Sequence, residues 1–362
     1  MRLLLAITEL GLGGAEKVVL DLERGALEAG HQVAVAAAPG PLEARASTVL
    51  RLPAVERSPL ALVRTGRRLA GITRGFAPDL VHAHNPRIVG LAAGATRLGR
   101  AARRPPVLAT HHGVPPHEAR AAARILRLAD HVVCVSACLA EELAASGMPE
   151  RRVTVIPNGV SVPPALGAAE RSRLDSELGL DGAPVVTAVG RLVPQKAHHR
   201  LLDAAVAVRE QIPSARFLIV GDGPLRSELQ ARISAAGLDG AVTLTGARAD
   251  ARQIIARSEV VAFSSEWEGL SLVALEALAA GVPIVSTDVA GTAELLQSGA
   301  GIAVPRNAAA LAGALVDVLL DPAARRKMCA EARRLHRGRF STERMVESYL
   351  ELYRSLKPST FP

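Results

Sequence analysis

Residues 264–283 read SSEWEGLSLVALEALAAGVP. An apolar strand at Val260–Phe263 runs into this stretch. An apolar helix at Leu272–Ala280 runs out of it toward another strand at Pro283–Ser286. Strand, turn, helix and strand in so short a span form the repeating unit of a parallel sheet covered by helices. The turn Gly269-Leu270-Ser271 leaves unpaired backbone N–H groups at the start of the helix, which suits an anion such as a phosphate. Two carboxylates, Glu268 and Glu276, stand eight positions apart around this turn. Acids so placed grip hydroxyl groups while the turn and the helix dipole hold the phosphate, a combination suited to a phosphorylated sugar.

The same alternation extends in both directions. In the second half, strands are expected at Val185–Val189, Phe217–Val220, Val242–Thr245, Val260–Phe263, Pro283–Ser286 and Gly301–Ala303. Helices are expected near Arg200–Gln211, Pro224–Ala236, Ala249–Arg257 and Ala308–Leu320, with one long helical region at Pro322–Leu356. The first half has strands at Arg2–Ile7, Gln32–Ala37, Leu80–Ala83, Val107–Thr110, Val132–Val135 and Val153–Ile156, with helical patterns such as Glu16–Glu28 and Cys138–Ser146 between them. The segment NGVSVPPALGAA (158–169) interrupts the series with Gly, Ser and a Pro pair and reads as a linker. Domains are therefore expected at 1–161 and 162–340, followed by a terminal helical segment at 341–362. Two such sheets place a cleft between them, and ligands of open α/β sheets bind beyond the C-terminal strand ends.

Composition narrows the function classes. A length of 362 residues fits about two domains, and 49% apolar residues supply an ample core. With aromatics at only 2%, base-stacking platforms for single-stranded nucleic acid are excluded. Cys134, Cys138 and Cys329 make an odd count with no zinc spacing, so buried thiols in a reducing cytoplasm are expected, with no disulfide framework. The opening MRLLLAITEL is expected to be a first strand rather than a signal segment. No apolar run reaches the roughly 18 residues of a membrane span. The net charge of +8 is uneven: residues 1–160 hold 20 Lys and Arg against 13 Asp and Glu. The excess concentrates in ALVRTGRRLAGITRGF (61–76) and RLGRAARR (97–104). These read either as basic amphipathic helices lying on an anionic membrane or as a solvated surface in a chain with 39 Arg and 4 Lys.

Four further motifs follow strands. In VGRLVPQKAHH, Gly190 permits close backbone approach, Arg191 offers a fork for phosphate oxygens, and Lys196 adds a point charge. In Gly221-Asp222-Gly223-Pro224, the glycines make a tight turn, Pro224 suits the first helical position and the Asp suits a cap; these roles account for the motif without a ligand. Gly11-Leu12-Gly13-Gly14-Ala15-Glu16 superficially matches a dinucleotide fingerprint. The second strand, however, ends in QVAVAAAPG, with no acid to hold a ribose, so a nicotinamide site is rejected. The glycine loop still admits a sugar, phosphate or acceptor close to the backbone. His111-His112-Gly113 places a histidine at a strand end, either as a loop residue or as a group that bonds a sugar hydroxyl or moves a proton. His82 and His84 share one strand face, but no third metal ligand accompanies them.

Taken together, Gly190-Arg191…Lys196, Gly221-Asp222-Gly223-Pro224, the Glu268…Glu276 pair and Ile156-Pro157-Asn158-Gly159-Val160 resemble glycosyltransferase family 4 over essentially the whole chain. The resemblance implies the GT-B fold, two Rossmann-like doubly wound parallel-sheet α/β domains facing across a cleft. The first domain would bind the acceptor and the second the nucleotide sugar, with the final helix crossing back to the first. It further implies a retaining transferase that moves a hexose-type sugar from a nucleoside-diphosphate sugar to a hydroxyl acceptor. By this resemblance Arg191 and Lys196 contact the diphosphate, Glu276 the ribose and Glu268 the sugar hydroxyls. Gly190 and the segment Gly269, Leu270, Ser271 and Leu272 support phosphate and sugar. His112 lies near the transferred sugar, and Gly13 and Gly14 lie near donor phosphate and acceptor. Neither a cofactor nor an essential divalent metal is expected. Two departures stand out: the position after Lys196, commonly glycine, is Ala197, and Ser161 replaces a common Asp.

The expected partners are the nucleotide sugar and a lipid-linked or saccharide acceptor of cell-envelope synthesis, with peripheral contact to anionic membrane and no nucleic acid. The expected location is cytoplasmic, at the inner face of the cell membrane. A nucleotide-sugar epimerase or phosphorylase on the same fold, or a non-catalytic sugar-nucleotide binder, are the alternatives.

Overall fold

In the computed structural model, which describes residues 1–54, 58–98 and 104–356, the chain forms two compact units. The first comprises Met1–Gly159 together with the final helix Thr342–Leu356; the second comprises Val160–Ser341. Residues 99–103 of the basic stretch 97–104, and 357–362 of the terminal segment, lie outside the described residues.

The first unit carries strands β1 (Arg2–Glu9), β2 (Gln32–Ala38), β3 (Val49–Arg51), β4 (Leu80–His84), β5 (Val107–His111), β6 (His131–Cys134) and β7 (Val153–Val155). They form one sheet in the order β3-β2-β1-β4-β5-β6-β7, and all its ladders are parallel. The interior strand β1 has no solvent exposure from Leu3 to Ile7. Helices cover both faces of such a sheet, so its strands are continuous apolar runs rather than alternating ones. The helix Thr342–Leu356 packs on the helix Gly14–Glu28 and buries Met345, Tyr349 and Tyr353. Close approach is possible because Gly25 has no side chain: a Cβ there would stand 2.3 Å from Val346 Cγ1.

The second unit carries β8 (Val185–Val189), β9 (Arg216–Val220), β10 (Val242–Gly246), β11 (Val260–Phe263), β12 (Ile284–Thr287) and β13 (Gly301–Val304). Its parallel sheet has the order β10-β9-β8-β11-β12-β13. This is the Rossmann order, which reverses direction between β8 and β11 and leaves a crevice at their C-terminal ends. Val186, Phe217, Ile219 and Val260 from the sheet meet Leu201, Leu311 and Leu315 from helices in its core.

Some local expectations need correction. The region Pro322–Leu356 is two helices, Pro322–Arg339 and Thr342–Leu356. They part at Phe340, which is buried and whose carbonyl accepts a hydrogen bond from Val160 N at 2.9 Å. Pro224 is not the first residue of a helix: the helix begins at Arg226, and Asp222 accepts from Gly223 N at 2.8 Å instead of capping. The linker gives way to a helix at Ala168–Leu178. Strand β3 was not anticipated; it is three residues long and has no buried side chain.

Candidate active site

Two loops at the crevice of the second sheet supply most of the predicted side chains. The loop after β8 carries Gly190, Arg191 and Lys196; the loop after β11 carries Glu268 and Gly269-Leu270-Ser271 and leads into the helix Leu272–Ala280. The first loop is held from below by the loop after β9. Gly190 N donates to Val220 O and Leu192 N to Asp222 O, and a Cβ on Gly221 would stand 2.0 Å from Gly190 O. Only glycine satisfies both that contact and the φ of +146° at Gly221. The Gly221–Gly223 motif is thus explained as backbone packing under the Arg191 loop.

The two loops are bonded to each other. Ser264 Oγ donates to Lys196 O at 2.9 Å, Gln195 Nε2 to Trp267 O at 3.1 Å, and Glu266 N to Gln195 O at 2.8 Å. Between them Lys196 Nζ donates to Glu268 Oε1 at 2.6 Å, and Ser265 Oγ donates to the same oxygen at 2.6 Å. The Glu268 side chain is 6% exposed and that of Lys196 16%. The pair is therefore largely desolvated, where an ion pair needs further hydrogen bonds to hold both charges. Ser265, itself buried, supplies one. Arg191 differs: its side chain is exposed, and its guanidinium has no partner among the described residues. Its carbonyl is fixed by His198, whose Nε2–H donates to Arg191 O at 3.2 Å. Burial pulls the His198 pKa down to about 4, so the ring serves as a neutral strut.

The helix Leu272–Ala280 starts without a side-chain cap: Ser271 holds the cap position but its hydroxyl makes no capping bond. The first amides of the helix thus have no side-chain cap, and the positive end of the dipole lies three residues past Glu268. Gly291, at the start of the helix Ala290–Leu295, presses on this turn; a Cβ there would stand 1.7 Å from Gly269 O. Glu276 is the one acid on an otherwise apolar helix and is 8% exposed, with Arg252 Nε 4.0 Å from its Oε1. Arg252 in turn reaches Ser161 O.

The remaining predicted residues belong to the first unit. Gly13 caps the helix Gly14–Glu28, and a Cβ on it would stand 2.3 Å from Glu16 Oε2, so a carboxylate already lies over this helix start. His112 follows β5, and its Nε2 is 3.1 Å from His84 Nδ1. Burial, then His111, pulls the His112 pKa down to about 3, so the ring is neutral near pH 7. Sequence reasoning did not single out Ser265, Arg252, Gly291 or the His84 contact. Each becomes visible only when segments distant in the chain are brought together.

The two units, each a parallel sheet with its loops at the C-terminal strand ends, have the GT-B architecture. A solved structure from Anabaena, Alr3699/HepE in complex with UDP and glucose, matches with a TM-score of 0.86 at 24% identity, over 98% of this chain and 100% of that one. The sequence profile described as glycosyltransferase family 4 matches residues 12–162, and that of glycosyl transferases group 1 matches residues 170–335. The chain belongs to glycosyltransferase family 4. It is similar to a GDP-mannose-dependent alpha-mannosyltransferase of Mycobacterium tuberculosis, 34% identical over 257 residues, covering 67% of this chain and 64% of the relative. It is also similar to the lipopolysaccharide core biosynthesis glycosyltransferase LpsE of Rhizobium meliloti, 30% identical over 231 residues, 63% of this chain and 65% of the relative. The matched region is thus just under two thirds of the length of these relatives.

Proposed function

We propose that the chain transfers a hexose-type sugar from a nucleoside-diphosphate sugar to a hydroxyl acceptor, with retention at the anomeric carbon. The observation that carries this is the desolvated Lys196–Glu268 pair, 2.6 Å apart beside an uncapped helix start at the crevice of a Rossmann sheet. The glycosidic C–O bond breaks as the acceptor oxygen bonds to the same face of the sugar. The departing diphosphate takes the electron pair, and one of its oxygens takes the acceptor's proton. Lys196, Arg191 and the amides of Leu272 onward stabilise the charge that develops there. Glu268 holds sugar hydroxyls through the carboxylate oxygen not bonded to Lys196, and Glu276 holds the ribose. Both acids act as binders rather than as an acid and nucleophile pair. In this scheme side-chain cations fill the role of a divalent ion, and turnover is expected to survive a chelator.

On the same proposal, the acceptor is a lipid-linked or polysaccharide precursor of the cell envelope, taken by the first unit at the inner membrane face. The helix Pro59–Phe76 supports this: it exposes Leu60, Val63, Arg64, Arg67, Arg68 and Arg74 and contains no acid. No helix among the described residues is long and apolar enough to cross a membrane, so contact would be peripheral. The first experiment is a thermal-shift panel of UDP-, GDP- and ADP-sugars, because a ligand of the folded state raises the melting temperature. Stabilisation by one class, followed by transfer to an acceptor, is expected; no shift with any of them overturns the proposal. Binding to anionic liposomes that weakens with salt is the expected membrane result.

A further inference from the structure

His82 and His84 lie on one face of β4 without exposure, and among the described residues no metal-binding cluster includes them. They do different things. His82 spends both nitrogens inside the fold, Nδ1 on Tyr353 Oη at 2.8 Å and Nε2 on Thr110 Oγ1 at 2.7 Å. His84 has one bond, from Nδ1 to His112 Nε2 at 3.1 Å, and the two rings stack 5.4 Å apart. Its Nε2 is buried with no partner among the described residues. His112 Nδ1 is not among the buried orphan atoms and has no protein partner there, so it is the nitrogen left for a ligand.

We propose that His84 is a positioning residue that donates its Nδ1 proton to His112 Nε2, fixing His112 as the Nδ1–H tautomer that donates to a sugar hydroxyl or phosphate oxygen. The proposal rests on the assignment of His112 to the transferred sugar. Both rings are neutral near pH 7, because burial holds each well below the usual histidine range. One proton therefore occupies the bond between them, and the two tautomers are coupled. If His112 were the donor, His84 Nε2 would carry a hydrogen buried with no acceptor. With His84 as donor, Nε2 is a bare lone pair. Orphaned buried N–H groups are the rarer of the two in folded proteins. His112 is then a neutral donor and not a general base, in keeping with a reaction whose leaving phosphate takes the proton.

The test is nitrogen-15 imidazole NMR of the unliganded protein. His112 is expected as the Nδ1–H tautomer; the Nε2–H tautomer overturns the proposal, whatever ligand the site takes. In His84→Phe, His112 should become a tautomer mixture and kcat/KM for the sugar donor should fall about tenfold, the loss of one hydrogen bond, while affinity for the free nucleoside diphosphate stays unchanged. His84→Asn, whose amide can donate from the same side, should restore most of the loss. Full transfer in His84→Phe, with His112→Ala impaired, also overturns the proposal. Full transfer in His112→Ala overturns instead the assignment of His112 to the sugar. Should His84→Phe fail to fold, the wild-type spectrum still decides.

Discussion

The two units differ in the ionisable clusters they bury. The first buries a cluster of neutral rings. His82, His84 and His111 are held well below the usual histidine range by burial, and Tyr349 and Tyr353 well above the usual tyrosine range. A chain of hydrogen bonds from Tyr353 through His82 and Thr110 to Tyr349 satisfies most of them. The second unit buries charges in pairs. Lys196 faces Glu268, and Arg257, 4% exposed, is bonded to Asp175 with Glu259 3.6 Å away. A neutral network is cheap to bury and unable to stabilise much charge. A buried pair is expensive to bury, but it presents fixed charge that needs no reorganisation when a ligand develops charge nearby. The difference matches the division of labour proposed for the units.

The largest effect expected is on Lys196. Replacing it with Ala should lower kcat/KM for the sugar donor about a thousandfold, near 4 kcal/mol of barrier. Activity within a few-fold of wild type in a steady-state assay would show that the paired charge in the second unit is structural only. Next is Arg257→Ala, which should destabilise the second unit by about 3 kcal/mol in urea unfolding, the low end for a broken buried pair. The low end applies because Asp175 and Glu259 keep partial access to water.

Acidification tests the other side of the comparison. A histidine whose folded pKa is depressed binds protons first in the unfolded state. Its contribution to stability is complete above about pH 6.5 and is lost as pH falls toward the folded value. That window runs down to about 4 for His111 and about 3 for His82. Each such ring costs up to about 1.4 kcal/mol per pH unit. Calorimetry from pH 7 to pH 5 should therefore show the first unit's transition falling away from the second's, to which His198 contributes in the same way. Transitions that move together would erase the contrast. The smallest effect expected is at Ala197, which sits in the left-handed region at φ +45°. Ala197→Gly relieves about 1–2 kcal/mol of backbone strain but removes a buried methyl group worth about 0.8 kcal/mol. A net gain of under about 1 kcal/mol in urea unfolding is expected.

Most of the architecture was legible because buried parallel strands leave uninterrupted apolar runs, as at Leu3–Ile7 and Val260–Phe263. The misses occur where local signals were weak or were overridden by contacts across the fold. Strand β3 lacks a buried side chain, and nothing within Pro322–Leu356 announces that Phe340 leaves the helix to fill a core. At the site, Lys196 and Glu268 were individually legible by residue type and by the strands they follow. Their bond, 72 residues apart in sequence, was not. Gly291 is needed only because Gly269 O lies where its Cβ would be. For His84 the sequence shows only a strand face shared with His82 and no third metal ligand, since a strand pattern does not reveal which neighbour a ring will meet.

The path of the final helix bears on how the chain is made. Tyr349 and Tyr353 pack against the His82 ring of β4, in a unit whose other residues are made before those of the second unit. The second unit, a continuous segment, has all its strands in hand before that helix emerges. The earlier-born unit must therefore wait for a helix made after the whole of the second unit to seal its interior. Translation order and maturation order are inverted, and the open interior in the interval is where a nascent chain most needs protection from aggregation.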